Sequence, residues 1–215
     1  SRRQRQMCIS DRIICDPQVA EIVSRWHRET GQAIRYTIVA NKALQLTMPG
    51  VADVYQGSEI TQTSLVDPDN RRPVDFNAPA QRLSHLDHEG LDHTAEPTLD
   101  DLKLNLTASI LRLRRRRQEC FVSATASYEA LALSTGYAVA FARGTEEAGP
   151  QVVTLARRLS GVLSRYQGDF RPEHTVVLPE GSWKDICSNE VFPGGMQSLE
   201  ELLFKRGARI LERVE

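Results

Sequence analysis

The segment from Met48 to Phe76 constrains the fold more than any other part of the sequence. It begins with a proline–glycine step and the apolar run Val51–Tyr55, turns at Gly57, and ends among carboxylates, guanidiniums and amides. A short apolar run bounded by turn residues is typical of a buried strand. Polar side chains that directly follow a buried strand are how an α/β scaffold presents a polar site. The sequence therefore predicts a strand at Val51–Tyr55 with a polar site at its carboxyl end.

Helical patterns precede this segment. Asp16 and Pro17 form a good N-cap with proline at the first helical position, and apolar residues then recur at helical spacing. Gly31 is predicted to end this helix because glycine is a frequent helix terminator. A second helix is predicted from Ile34 to Leu46.

A long loop and a further helix are predicted after the strand. From Gly57 to Pro97 the sequence is rich in proline and charge, and a loop of this length inside a compact domain is usually functional or disordered. Thr98 is predicted to cap a helix with two aspartates in its first turn. Leucines and isoleucine at spacings of three and four make one face of this helix apolar through Leu113.

After Arg117 the sequence pattern changes from helical to β-rich. Short runs of β-forming residues alternate with turn signals, which favours an antiparallel sandwich. The predicted fold is α+β, with a helical part over residues 1–118 and a β-sandwich domain over residues 119–215. The β runs are Ser127–Leu133, Tyr137–Arg143, Gln151–Arg157, Thr175–Leu178 and Trp183–Cys187, and Pro193-Gly194-Gly195 is predicted as a turn.

Composition excludes several functional classes. Hydrophobic residues make up 40% and charged residues 26% of the 215 residues, which is ordinary for a globular protein. The net charge of −1 offers no general attraction to nucleic acid or to an anionic membrane, and no apolar run is long enough to cross a bilayer. Four cysteines without metal-site spacing favour free thiols in a reducing cytoplasm, although a Cys8–Cys15 disulfide is conceivable.

Three other features allow more than one interpretation. His85, His88 and His93 lie among acidic residues, but their spacing matches no known zinc site, so we predict a solvated acidic loop without a metal. The run Arg112–Arg117 ends an amphipathic helix, where cations suit the helix dipole. A solvated helix end, alone or paired with carboxylates of a neighbouring domain, is favoured over phosphate contacts in a nucleic-acid binder. Trp183 is predicted either to pack in the core or to offer a sugar-stacking surface.

The segment from Ala43 to Phe76 resembles the maltooligosyltrehalose synthases of the α-amylase family. Weaker similarity extends from about Gly31 to the end of the chain, and Ala52 and Ser58 depart from the family's usual proline and threonine. The resemblance implies that residues 1–118 form the last part of a (β/α)₈ barrel, with Val51–Tyr55 as its eighth strand. The matching residues are Pro49-Gly50-Val51, Asp53-Val54-Tyr55-Gln56-Gly57, Glu59 and the run from Leu65 to Asp75.

The resemblance also implies an activity. The family's enzymes are isomerases that convert the α-1,4 linkage before the reducing-end glucose of a maltooligosaccharide into an α,α-1,1 trehalose linkage, by intramolecular transglucosylation. Retention at the anomeric carbon needs a carboxylate nucleophile and a carboxyl acid/base. In the family these carboxylates follow earlier barrel strands, so we predict no catalytic residue, no cofactor and no activity in this chain alone. The implied partners are the maltooligosaccharide and the remainder of the same enzyme's barrel.

The polar residues after the predicted strand are the candidate substrate-binding site. Sugar hydroxyls are bound by side chains that donate and accept hydrogen bonds and by paired charged groups. Arg71 and Arg72 could equally clamp the loop's own carboxylates. A second hypothesis is that the chain is a non-catalytic carbohydrate-binding or scaffolding module. The candidate residues are Gln56, Glu59, Asp67, Asp69, Asn70, Arg71, Arg72 and Asp75.

Overall fold

A computed structural model of the chain describes residue 13 and residues 15–64, 71–91 and 97–214. Helices dominate the first half and an antiparallel sheet dominates the second. The helices are α1 (Pro17–Thr47), α2 (Asn77–Glu89), α3 (Leu99–Arg116), α4 (Glu119–Val122), α5 (Ser160–Gln167) and α6 (Leu199–Leu202). The strands are β1 (Ala126–Ala130), β2 (Ala138–Thr145), β3 (Gly149–Arg157), β4 (Thr175–Asp185), β5 (Val191–Ser198) and β6 (Ala208–Val214).

Helix α1 is continuous through Gly31. Its start is as predicted, because the carboxylate of Asp16 accepts a hydrogen bond from the backbone N–H of Gln18 at 2.8 Å. The predicted break at Gly31 is wrong, because an interior glycine costs a helix only about 1 kcal/mol relative to alanine. Burial of Ala43 and Leu46 in the second half of the helix offsets a cost of that size.

The predicted strand Val51–Tyr55 is not a strand in this structure. The segment has no regular secondary structure, and Val51 is 97% exposed. Ala52 and Val54 nevertheless pack on the helical core while their neighbours are exposed, which is the alternation of a strand. A strand needs a neighbour to complete its backbone hydrogen bonds, and none of the described residues pairs with this segment as a strand.

The predicted loop between Gly57 and Pro97 contains helix α2, which the sequence interpretation missed. Asp75 initiates it by accepting hydrogen bonds from the N–H groups of Asn77 and Ala78. The prediction of helix α3 is confirmed, and Thr98 caps it by accepting a hydrogen bond from the N–H of Asp101 at 3.1 Å.

All six strands form one antiparallel sheet in the order β1–β2–β3–β6–β4–β5. This confirms the α+β class, but the predicted two-sheet sandwich is not confirmed. The runs Thr175–Leu178 and Trp183–Cys187 were predicted as separate strands, whereas β4 continues through an irregularity between Leu178 and Ser182. The predicted turn at Pro193-Gly194-Gly195 lies inside β5, which is possible because β5 is an edge strand and an edge tolerates proline.

Two hydrophobic clusters cover the two faces of the central strands. On one face Val153 and Leu155 of β3 pack with Trp183, which is fully buried and donates a hydrogen bond from its indole nitrogen to the carbonyl of Pro179 at 2.7 Å. Its role in the core is therefore confirmed. On the other face Val152 and its neighbours pack against α1 and α3. The division at residues 118 and 119 stays a prediction, although the two parts share this second core.

Three arginines near the end of α3 are paired with carboxylates, whereas the sequence predicted a solvated helix end with pairing as one form of it. Arg116 and Arg117 both bind the carboxylate of Glu212 on β6, at 2.7 and 2.9 Å. Burial opposes ionisation of Glu212, but these hydrogen bonds outweigh it and lower the pKa of its carboxyl. Arg112 makes a two-bond contact with Asp87 of α2 at 2.6 and 2.8 Å. The arginine run thus ties α3 to both α2 and the sheet.

The continuity of α1 predicts that Gly31→Ala stabilises the protein. A Cβ at this position would meet only the imidazole of His27 at 4.0 Å, so alanine fits without strain. We expect the free energy of unfolding to rise by about 0.5–1 kcal/mol, measured by urea denaturation followed by circular dichroism.

Gly57→Ala is the matched control for this prediction. Gly57 has a φ of +79°, and an added Cβ would lie 2.6 Å from the side-chain nitrogen of Gln62. We therefore expect this variant to lower the free energy of unfolding by about 1 kcal/mol or more. A loss of stability in Gly31→Ala would contradict a continuous helix α1.

Candidate functional site

A pocket of about 180 Å³ lies between the turn that follows Tyr55 and helix α2. Its lining surface is almost wholly apolar, although the acidic residues Glu59 and Asp75 are among those that form it. The ring of Phe76 is 57% exposed beside them. The lining residues are Gly57, Glu59, Ile60, Val74, Asp75, Phe76, Pro79, Ala80, Leu83 and Leu104.

Gly57 allows the sharp turn on which the pocket depends. Besides the contact with Gln62, an added Cβ would lie 3.3 Å from the methyl groups of Val74, so the chain packs too closely here for a side chain. Gln62 donates a hydrogen bond from its side-chain amide to the carbonyl of Gly57 at 2.9 Å. The N–H of Ser58 donates to the carbonyl of Tyr55 at 2.9 Å. The turn is therefore compact and internally hydrogen-bonded.

Helix α3 holds the next residues of the turn. The ammonium of Lys103 donates a hydrogen bond to the carbonyl of Ile60 at 2.8 Å, and Asp100 accepts one from the N–H of Thr61 at 2.8 Å. Burial of Asp100 opposes its ionisation, but the hydrogen bonds from Thr61 outweigh this effect and lower the pKa of the carboxyl. Asp100 is therefore a carboxylate at neutral pH.

Lys42 of α1 completes a group of four charges behind the turn. It is 5% exposed, and burial together with the nearby Lys103 lowers the pKa of its ammonium, while Glu59 opposes that shift. Burial also lowers the pKa of Lys103, against the attraction of Asp100 and Glu59. The hydrogen bonds of Lys103 and Asp100 thus place charged side chains of α3 directly behind the turn.

The other candidate features serve structural roles in the part of the chain that the structure describes. His85 contacts Glu89 at 3.4 Å, whereas His93 and Asp92 lie outside the described residues. Within those residues no group of three or more His, Cys, Asp or Glu is placed to hold a metal. In the same described part, no helix is long and apolar enough to cross a membrane.

The cysteines that the structure describes are free thiols. Cys15 is exposed, and Cys8, with which a disulfide was conceivable, lies outside the described residues. Burial raises the pKa of Cys120 to about 11 and that of Cys187 to about 12, so both stay protonated at neutral pH.

Known proteins share both the sequence and the fold of this chain. No protein-family model matches it. A protein named as a maltooligosyl trehalose synthase in Mycobacterium tuberculosis is 37% identical to it over 164 residues, or 75% of the chain. The solved structure of maltooligosyltrehalose synthase from Arthrobacter ramosus superposes on 98% of the chain with a TM-score of 0.81 and 30% identity. The chain is homologous to the C-terminal part of maltooligosyltrehalose synthases.

The chain spans only a fraction of these synthases. It covers 19% of the length of the Mycobacterium protein and 26% of the Arthrobacter enzyme. A glycosyltrehalose synthase also superposes with a TM-score of 0.71, and at 22% identity it supports the fold alone. The resemblance predicted from the sequence is therefore confirmed, and it concerns one region of a much longer enzyme.

The structure brings two of the eight candidate residues into one pocket. Glu59 and Asp75 line it, and Gln56 is exposed in the adjoining turn. Arg71 and Arg72 are exposed ahead of α2 and are not among the lining residues. The remaining candidates, Asp67, Asp69 and Asn70, lie outside the described residues. Contact of any of these eight residues with a sugar stays a prediction.

Sequence reasoning missed three residues of the site. Phe76 directly follows Asp75, and an aromatic residue next to a polar candidate is a usable signal for sugar binding. Lys42 and Lys103 gave no signal, because a lysine in an amphipathic helix is normally solvated and its burial here depends on how the two helices meet.

Asp75 both caps helix α2 and belongs to the lining of the pocket, and substitutions can separate these two roles. An asparagine side chain at this position would retain the cap of α2 but lose the charge, so Asp75→Asn should leave the free energy of unfolding nearly unchanged. Asp75→Ala removes the cap and should lower it by about 1 kcal/mol. Urea denaturation measures both variants. Equal losses in the two variants would contradict a capping role for this residue.

Proposed function

We propose that this chain is the C-terminal part of an isomerase that converts the reducing-end α-1,4 linkage of maltooligosaccharides into an α,α-1,1 linkage by intramolecular transglucosylation. The observation that carries the proposal is the pocket after Tyr55, in a region homologous to maltooligosyltrehalose synthases. We infer that the pocket contacts the sugar chain and that the helices brace the catalytic barrel.

The chemistry of the pocket suits a sugar ring. A pyranose has an apolar face that packs on an aromatic ring, and Phe76 offers such a ring at the pocket's edge. Carboxylates accept hydrogen bonds from sugar hydroxyl groups, and the acidic residues Glu59 and Asp75 are among those that form the pocket. A volume of about 180 Å³ corresponds to about six water molecules, which is the scale of a single sugar unit and not of a whole oligosaccharide.

The remainder of the barrel is the proposed macromolecular partner. Val51 and Tyr55 expose one apolar face of their segment, at 97% and 49%. On α1, Ile22, Val23 and Trp26 are each more than half exposed. Large apolar groups gathered on one face mark an interaction surface. We infer that Val51–Tyr55 becomes the eighth barrel strand when the seventh and first strands lie beside it.

The catalytic residues are proposed to lie outside this chain. In the α-amylase family that the chain resembles, the nucleophile and the acid/base follow earlier strands of the barrel. The barrel part is proposed to end near residue 118, with residues 119–215 as a separate supporting domain. We therefore propose that the complete enzyme is active and that this chain alone is inactive. A cytoplasmic location stays a prediction.

A non-catalytic carbohydrate-binding module is the second candidate. In contrast to the first candidate, this one needs no further barrel strands, because one turn and helices α2 and α3 form the pocket. The first candidate predicts that a bound maltooligosaccharide is converted when the rest of the barrel is present. The second predicts that it is only bound.

Sugar binding can be tested directly on this chain. Titration of ¹⁵N-labelled protein with maltohexaose should shift the amide signals of Gly57, Ile60 and Phe76. Phe76→Ala removes the stacking surface and should weaken the affinity by about tenfold. Phe204→Ala is the matched control, because Phe204 is equally exposed, at 61%, but lies outside the pocket. No shift at the pocket, or equal effects of the two variants, would contradict the proposal.

A further inference from the structure

Lys42 and Lys103 place their ammonium groups where lysines rarely lie. Lys42 is 5% exposed at the side of α1, and Lys103 is half-buried on α3. Removing a charged group from water is costly unless other charges or hydrogen bonds compensate. The partners of these lysines therefore indicate what the cluster does.

The compensating groups all belong to the turn or to its support. The Lys103 ammonium donates to the carbonyl of Ile60, and Asp100 accepts from the N–H of Thr61. The consecutive turn residues Ile60 and Thr61 are thus each held by a charged side chain of α3.

The hydroxyl group of Ser58, which precedes these residues, does not share this task. Its oxygen is buried and forms no hydrogen bond among the residues that the structure describes. The backbone of the turn is therefore fixed by its own hydrogen bonds and by the charged side chains of α3.

We propose that Lys103, with Asp100, is a positioning residue that holds Ile60 and Thr61 of the turn, and with them the wall of the pocket that Ile60 lines. The holding of the turn is independent of any ligand. Its consequence for sugar recognition rests on the proposed function, because the sugar must then pack in that pocket.

Amide hydrogen exchange tests the holding of the turn. In Lys103→Met the exchange of the Thr61 and Ser58 amides should become about tenfold faster, because a hydrogen bond from a charged donor is lost. Lys103→Arg keeps the charge and the donor and should restore slow exchange. The exposed Lys205→Met is the control, and the Gly90 amide at the end of α2 reports on overall folding.

The outcomes separate this proposal from the proposed function. Unchanged exchange at Thr61 and Ser58 in Lys103→Met would overturn it. If Lys103→Met fails to fold, Asp100→Ala provides the second test, because it removes the acceptor of the Thr61 amide. Unchanged exchange at Thr61 in that variant would equally overturn the proposal.

Titration with maltohexaose then tests the consequence for the sugar. We expect Lys103→Met to weaken binding by about tenfold and Lys103→Arg to retain it. Faster exchange with unchanged affinity would overturn the positioning of the pocket wall for substrate. Absence of binding by the unmodified chain would refute the proposed function, whereas the exchange experiment would still decide whether Lys103 and Asp100 hold the turn.

Discussion

The packing of α1 and α3 against the sheet is the contact on which the rest of the structure depends. Val152 and Ile210 present one face of the central strands to the second half of α1. Gly207 permits the approach, because an added Cβ would lie 2.5 Å from the carbonyl oxygen of Tyr36. With α1 placed on the sheet, α3 packs beside it, and the turn after Tyr55 meets both helices. The pocket is thus a consequence of a helix–sheet interface that is remote in sequence.

Local signals predicted those elements whose ends are defined by their own side chains. Asp16 and Thr98 cap helices as expected because a cap is a short-range hydrogen bond. Continuity through Gly31 could not be predicted, since it depends on how deeply the following residues are buried. The edge position of β5, which tolerates Pro193, is likewise set by strands distant in the chain.

Only part of the site could be predicted from the sequence, because the rest depends on contacts between distant parts of the chain. Glu59 and Asp75 could be chosen from the sequence because they follow an apolar run, and both line the pocket. Their surroundings could not be foreseen, because α2 forms within a stretch that has the composition of a loop. The burial of Lys42 depends on α1 and α3 meeting behind the turn. Residues 51–55 have the sequence pattern of a strand, but they do not form one because none of the described residues pairs with them.

The most direct test is an exchange of parts with a known relative. This chain would replace the matching C-terminal part of the Arthrobacter ramosus synthase, and maltohexaose would be incubated with the hybrid, with the intact synthase and with this chain alone. Loss of reducing ends and the α,α-1,1 anomeric signal would be followed by NMR. We expect conversion by the hybrid and by the intact synthase but not by the chain alone. Conversion by the chain alone, or a folded hybrid that binds maltohexaose without converting it, would contradict this expectation.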